Sequence, residues 1–273
     1  MKFNFSPEII HLYGPFGVHS YGFFIALGII TVVTAIRYNK RFTQLGLEPV
    51  FMNIVAVGII AGCIGGRFLE VISEPFLYPH WYDWFTLWQG GFSILGSILG
   101  VIIIMPFYLR SINVPILPLF DLVSIYIPLL QSIGRLGCFT AGCCYGSITN
   151  NIFAVIYTNP HTLAPYGIPL HPTQLYSSTL LFGIFLLMYF VVQPLCKKNG
   201  QIFGIYLIFA SLERFWVDFW RSDRILIGNF FLSLHQIIAC IIIIVSLLVL
   251  TIPCIKNKCV RLYRYIQKLN FDK

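Results

Sequence analysis

Composition, apolar periodicity and the placement of basic residues together predict an all-α integral membrane protein. It should have about seven transmembrane helices, its N-terminus outside and its C-terminus in the cytoplasm. Of its 273 residues, 58% are hydrophobic and 10% charged, and the mean hydropathy is +0.81. Soluble domains hold about 25% charged residues. So little charge would leave a water-soluble fold of this length with apolar surface it could not cover.

The apolar runs come next. A spanning helix needs about 20 predominantly apolar residues. Such runs fall at 20–36, 50–72, 91–109, 115–134, 172–192, 201–220 and 231–255. No repeat or low-complexity linker separates them, so residues 1–273 read as a single membrane domain. The first run lacks a small-residue cleavage site before it and has Glu8 and His11 upstream. It is expected to be a retained span, not a signal peptide.

Lys and Arg then set the orientation, because short cytoplasmic loops hold the excess. One side receives Arg37, Lys40, Arg41, Arg110, Lys197 and Lys198, together with the tail residues Lys256, Lys258, Arg261, Arg264, Lys268 and Lys273. That is 12 of the 18 basic residues. The other side keeps Lys2, Arg67, Arg135, Arg214, Arg221 and Arg224, with Glu70, Glu74, Asp83, Asp218 and Asp223. The net charge of +8 is thus a topology signal, and no nucleic-acid partner is expected.

Arg at the bilayer centre costs about 2.5–3.5 kcal/mol on insertion scales and marks a functional site by default. With this topology His19, Tyr21, Gly65, Gly66, Arg67, Gly134, Arg135, His171, Pro172, Arg214, Asp218 and Arg221 all fall at outward-facing span ends. The opposite halves offer little beyond Asp121. Arg214, Asp218 and Arg221 are spaced i, i+4, i+7 and share a helical face. They read either as a self-neutralised ladder or as an anion site with one positive charge in excess. Guanidinium suits phosphate because its planar fork donates two parallel hydrogen bonds. Arg135, between Gly134 and Gly137, is either a phosphate ligand or a residue snorkelling to the surface. Cys138, Cys143 and Cys144 are the one cluster among the 8 cysteines. Three readings stand: packing or a disulfide, a thiolate activated beside Arg135, or a metal site with His171 as a fourth ligand.

At these residues the chain resembles the prolipoprotein diacylglyceryl transferases. The resemblance runs from His19-Ser20-Tyr21-Gly22 to Leu234-His235-Gln236-Ile237. Between them lie Gly65-Gly66-Arg67, Gly90-Gly91-Phe92-Ser93, Gly134-Arg135-Leu136-Gly137, Gly142 and Gly146. His171-Pro172-Thr173-Gln174-Leu175-Tyr176 and the segment from Arg214 to Arg221 follow in family order. The resemblance implies a bacterial inner-membrane enzyme whose active site faces the periplasm. Such enzymes move the diacylglyceryl group of phosphatidylglycerol onto the lipobox Cys thiol of a prolipoprotein signal peptide and release glycerol phosphate. It assigns catalysis to Arg135, Arg214, His171 and Tyr21, and lipid binding to Arg135, Arg67, Arg221 and Gly146, with no metal and no cofactor.

The chain departs from the family pattern at several polar positions. Leu95 stands where the family has His, Cys138 and Ala141 replace two Asn, Cys143 replaces an acid, and Ala210 replaces a Tyr. These changes spare the phosphate-binding half and alter the proton-handling half, leaving His171 as the expected base. Two other functions remain open. One is a transferase on the same fold with another acceptor or a Cys relay. The other is a non-catalytic phospholipid-binding or transport protein.

Overall fold

In hydrocarbon a backbone must satisfy its own N–H and C=O groups, so apolar runs become helices. The computed structural model describes residues 1–5, 8–13, 16–86, 91–224, 226 and 231–251. In chain order its helices are α1 (Ser20–Arg37), α2 (Lys40–Gln44), α3 (Phe51–Ser73), α4 (Ile94–Ser111), α5 (Ile116–Ala141), α6 (Thr173–Leu195), α7 (Gln201–Asp218) and α8 (Leu234–Thr251). Five of them, α1, α3, α5, α6 and α8, are long and apolar enough to cross a membrane among the described residues. Each of the seven expected runs contains a helix. Of the remaining two, α4 holds a shorter apolar stretch, Leu95–Ser111, and α7 carries Glu213, Arg214 and Asp218. Large apolar side chains face outward along the bundle, among them Ile60, Ile64, Phe68, Ile103, Phe107 and Val249. This is the surface of a multi-pass membrane protein.

Helix ends differ from the hydropathy boundaries where polar residues continue a helix. The run expected to stop at Gly134 continues to Ala141, because Arg135 through Cys138 keep helical geometry until Gly142 adopts φ 77 and ends it. The run expected to stop at 192 continues to Leu195 through a π-helical turn, Met188–Val192, ahead of Pro194. Arg41 caps that end by donating from Nη2 to the carbonyls of Gln193 (2.8 Å) and Cys196 (2.7 Å). The last run begins at Leu234, and residues 252–273, with the tail cations counted above, lie outside the described residues.

Two small β-structures supplement the helices. β1 (Lys2–Phe3) pairs parallel with β4 (Val155–Tyr157), which pairs antiparallel with β5 (Pro169–Leu170); β2 (Glu8–Tyr13) and β3 (Phe16–His19) form a hairpin. A second apolar core, Phe139, Val155, Tyr157, Ala164 and Leu170, lies between the three-stranded sheet and the end of α5, where the Tyr157 hydroxyl donates to the Phe139 carbonyl. Hydropathy passes over such short strands because no apolar run marks them.

The spans pack through small residues and foreign caps. A Cβ added at Gly96 would lie 2.3 Å from the Gly65 carbonyl oxygen, and one at Gly100 would lie 2.4 Å from that of Ala61. α3 and α4 therefore approach backbone to backbone, as small-residue stripes permit in membranes. At the far end Asp121 of α5 accepts from the N–H groups of Gly200 (2.6 Å) and Phe203 (2.9 Å). A carboxylate there satisfies donors that the first turn of α7 leaves orphaned and complements the positive end of its dipole. We expect Asp121→Ala to cost about 0.5–2 kcal/mol, the range for losing an N-cap, seen as a lower thermal unfolding midpoint in detergent. An unchanged midpoint would remove Asp121 from the stability of α7.

Candidate active site

The last turns of α5 place the chemistry. Gly137 lets α1 come close, since an added Cβ would lie 3.2 Å from the Tyr21 Cα and 3.0 Å from the Phe24 Cβ. Tyr21 therefore stands in the first turn of α1 within electrostatic reach of Arg135, Cys138, Cys143 and Cys144. Beyond Gly142 the chain reverses and runs beside the start of α6 and the end of α7. The Gly146 N–H donates to the His171 carbonyl (2.9 Å) and the Ser147 N–H to that of Trp220 (2.8 Å). A Cβ on Gly146 would lie 2.6 Å from both the His171 Cβ and the Trp220 carbonyl oxygen, so the slot admits hydrogen alone. Gly146 also bridges Arg221 through the backbone, which brings that arginine to the same loop.

Three arginines meet here, in different states. Arg135 and Arg221 both lie within electrostatic reach of Arg214. Arg221 is buried and forked onto Asp223, with Nε to Oδ1 at 2.7 Å and Nη2 to Oδ2 at 2.5 Å. Arg135 and Arg214 are half-buried, and among the described residues neither has a hydrogen-bond or ion-pair partner. The helical face shared by Arg214, Asp218 and Arg221 is not the arrangement found. α7 ends at Asp218, so Arg221 leaves its helical face. Asp218 accepts instead from the Ser233 hydroxyl (2.5 Å), with Arg224 Nε at 3.4 Å and His235 Nδ1 at 3.8 Å. Two guanidiniums are thereby left uncompensated at the edge of the bundle.

Arg67 is differently engaged. It is 3% exposed, lies over the Tyr78 ring and donates to the Gly91 carbonyl (3.1 Å) and the Thr86 hydroxyl (3.1 Å). His171 is half-buried, with Nδ1 3.3 Å from the Tyr176 hydroxyl. Leu95 is 61% exposed on α4, and Ala210 lies one turn before Arg214. Cys138, Cys143 and Cys144 are separate thiols, with no disulfide among them.

Sequence reasoning missed Glu213. Its carboxylate is buried, accepts from the Ser177 hydroxyl and lies within electrostatic reach of Arg135, Arg214 and Arg221. The available signal was a carboxylate in an apolar run; scoring only the face of residues 214, 218 and 221 hid it. Nearby, Ser132 and Ser178 donate to each other's carbonyls at 2.8 and 2.9 Å and tie α5 to α6. An apolar cleft of about 410 Å³ lies between α6 and α7, lined by Leu180, Ile184, Phe209, Leu212 and Trp216, with Glu213 in its wall. A larger cleft of about 530 Å³ lies among Arg110, Asn113 and Asn199, at the opposite end of α5 from Arg135.

Two guanidiniums without partners among the described residues fit an anionic ligand. The family described as prolipoprotein diacylglyceryl transferase matches residues 7–252. The chain belongs to this family. It is 37% identical to the phosphatidylglycerol–prolipoprotein diacylglyceryl transferase of Clostridium tetani over 250 residues, covering 90% of this chain and 97% of the relative. A second such enzyme, from Clostridium perfringens, is 35% identical over 255 residues, covering 88% and 93%. One from Dehalococcoides mccartyi is 31% identical over 242 residues, covering 86% and 88%.

The Arg221–Asp223 fork makes a prediction about pH. Hydrogen bonding from Arg221 holds the Asp223 carboxyl below its usual range. A depressed folded value stabilises above the unfolded value of about 3.9, and that contribution is lost as pH falls through the folded value. The gap in unfolding midpoint between wild type and Asp223→Asn should therefore hold from about pH 7 to 5 and close below about pH 4. A gap that vanishes by about pH 6 would contradict the assignment.

Proposed function

We propose that this membrane transferase moves the diacylglyceryl group of phosphatidylglycerol onto the lipobox Cys thiol of a prolipoprotein, releasing glycerol phosphate. The single observation that carries the reading is the pair of guanidiniums, Arg135 and Arg214, that lie within reach of each other and have no partner among the described residues. Family membership supports it independently.

In this reading the two guanidiniums hold the phosphodiester, and the acyl chains lie along the α6–α7 cleft. The acceptor thiolate attacks the glycerol carbon that bears the phosphate oxygen; a C–S bond forms, the C–O bond breaks, and the electron pair leaves on phosphate. Charge develops on the leaving group, where preorganised donors act most strongly. His171 and Glu213 are the nearby groups able to take the thiol proton, and Tyr21 flanks Arg135 on the α1 side. Arg221 and Gly146 hold the loop that closes the site. Arg67 enters as the residue that fixes the segment after α3, not as a phosphate ligand.

The same proposal makes α1 and α3–α8 seven spans of a single domain, with the N-terminus outside and the C-terminus in the cytoplasm. The excess of basic residues at the opposite ends supports this orientation. It sets the site at the periplasmic face of a bacterial inner membrane, where phosphatidylglycerol and prolipoprotein signal peptides are the partners.

Complementation of a strain depleted of its own transferase tests the reading, with lipoprotein mass read by mass spectrometry. Diacylglyceryl-modified lipoprotein is expected. A well-expressed, folded chain that leaves prolipoprotein unmodified would refute the assignment. Within that assay Arg214→Ala should lower transfer by about 10²–10³-fold, the usual cost of one charge-stabilising donor. Arg135→Lys should lose most activity despite keeping its charge, because a point charge cannot reproduce the fork. Wild-type turnover by folded Arg135→Lys protein would remove Arg135 from phosphate binding.

A further inference from the structure

The end of α5 gathers three sulfurs. The Sγ atoms of Cys138, Cys143 and Cys144 all lie within 4.8 Å of one another. Tetrahedral zinc with Zn–S bonds of about 2.3 Å needs sulfurs about 3.8 Å apart, a closure of about 1 Å at most from the arrangement present. The loop is wound to bring them together. Gly142 is left-handed at φ 77, and Cys144, though not glycine, is left-handed at φ 58. Non-glycine residues in that region cluster at ligand clamps and active sites. The start of α6 holds the loop in place. Gln174 Nε2 donates to the Cys143 carbonyl and Thr173 Oγ1 to that of Cys144, each at 2.7 Å. Cys63, Cys196 and Cys240 lie outside this group.

We propose that Cys138, Cys143 and Cys144 bind one zinc-class cation through their sulfurs, and that its fourth position takes the acceptor thiol of the transfer proposed above, on which this role rests. Three protein ligands with one open position is the arrangement of catalytic zinc, whereas structural sites close with four. Charge balance favours it. Three thiolates and a divalent cation sum to one negative charge, and the Arg221 and Arg135 guanidiniums both lie in electrostatic range of Cys144. A thiol that coordinates zinc is deprotonated outright. The acceptor S–H therefore breaks on binding, and its proton passes to water or to His171. The bound sulfur then attacks the lipid carbon as described, and the C–O electron pair leaves on the phosphate held by Arg135 and Arg214. The thioether formed no longer carries the negative charge that held it and departs. No redox step is required. Cys138, Cys143 and Cys144 thus supply thiol activation by another route.

The test uses the full chain purified in detergent micelles without chelator. Zinc measured by mass spectrometry should be about one per chain. Cobalt added to chelator-treated protein should give thiolate-to-cobalt charge-transfer absorption. Cys138→Ser and Cys143→Ser should lose both signals while still unfolding cooperatively, as chelator-treated wild type does, and Cys63→Ser and Cys240→Ser should lose neither. Chelation should lower transfer to a prolipoprotein peptide at least tenfold, and added zinc should restore it. Background zinc in wild type with no cobalt band overturns the site. So does a pair of these thiols that resists alkylation until reduced, since that is a disulfide. Full transfer by metal-free protein overturns the activation role while leaving the transferase reading intact. Stoichiometric zinc with no transfer under any loading supports the metal site and sinks the transferase reading instead.

Discussion

A guanidinium without a partner is too costly for hydrocarbon, and the molecule is arranged around that constraint. Each misplaced arginine costs about 2.5–3.5 kcal/mol on insertion scales, and a naked one more. Arg67 escapes the cost through carbonyls, a hydroxyl and a tyrosine face. Arg221 escapes it through Asp223, and Arg41 through the carbonyls at the end of α6. Only Arg135 and Arg214 stay unpaired among these, and both lie near the ends of α5 and α7, where α6 starts beside the loop after Gly142. An uncompensated pair in such a place is stable when something anionic spends time there.

The rest of the fold keeps that pair from relaxing. Asp218 is four residues from Arg214 and would neutralise it if free to turn. Ser233, Arg224 and His235 engage it instead. Glu213 is the nearer threat, and the Ser177 hydroxyl fixes its carboxylate against α6. Ser132 and Ser178 lock α5 to α6 in the same layer. Hydrogen bonds that hold acids off the guanidiniums are therefore as important to anion binding as the arginines themselves.

Hydropathy sufficed for the helices because the membrane imposes one rule on every span. It failed at Arg135, where a charged residue was taken for a helix end although the helix runs on to Gly142. A charge near the interface snorkels, so it need not stop a helix. The face of residues 214, 218 and 221 was read from helical spacing alone, and spacing cannot tell that α7 ends at 218 or that α8 supplies a rival partner. Glu213 and the Ser132–Ser178 contact depend on which helices become neighbours, which a single sequence does not state. Gly146 was visible as a motif residue, but its slot between His171 and Trp220 exists only after three segments have come together.

That slot explains why changed chemistry at 138, 141 and 143 need not change the architecture. The loop from Gly142 to Ser147 is held by backbone groups and by α6 side chains: His171 and Trp220 carbonyls on one side, Gln174 and Thr173 on the other. None of these contacts uses the side chain of residue 138, 141, 143 or 144. The backbone frame is therefore indifferent to whether those positions carry amides, acids or thiols, provided Gly142 and Gly146 remain. A frame of this kind lets the proton-handling side of a site be rebuilt from sulfur while the phosphate-holding arginines stay where the helices put them.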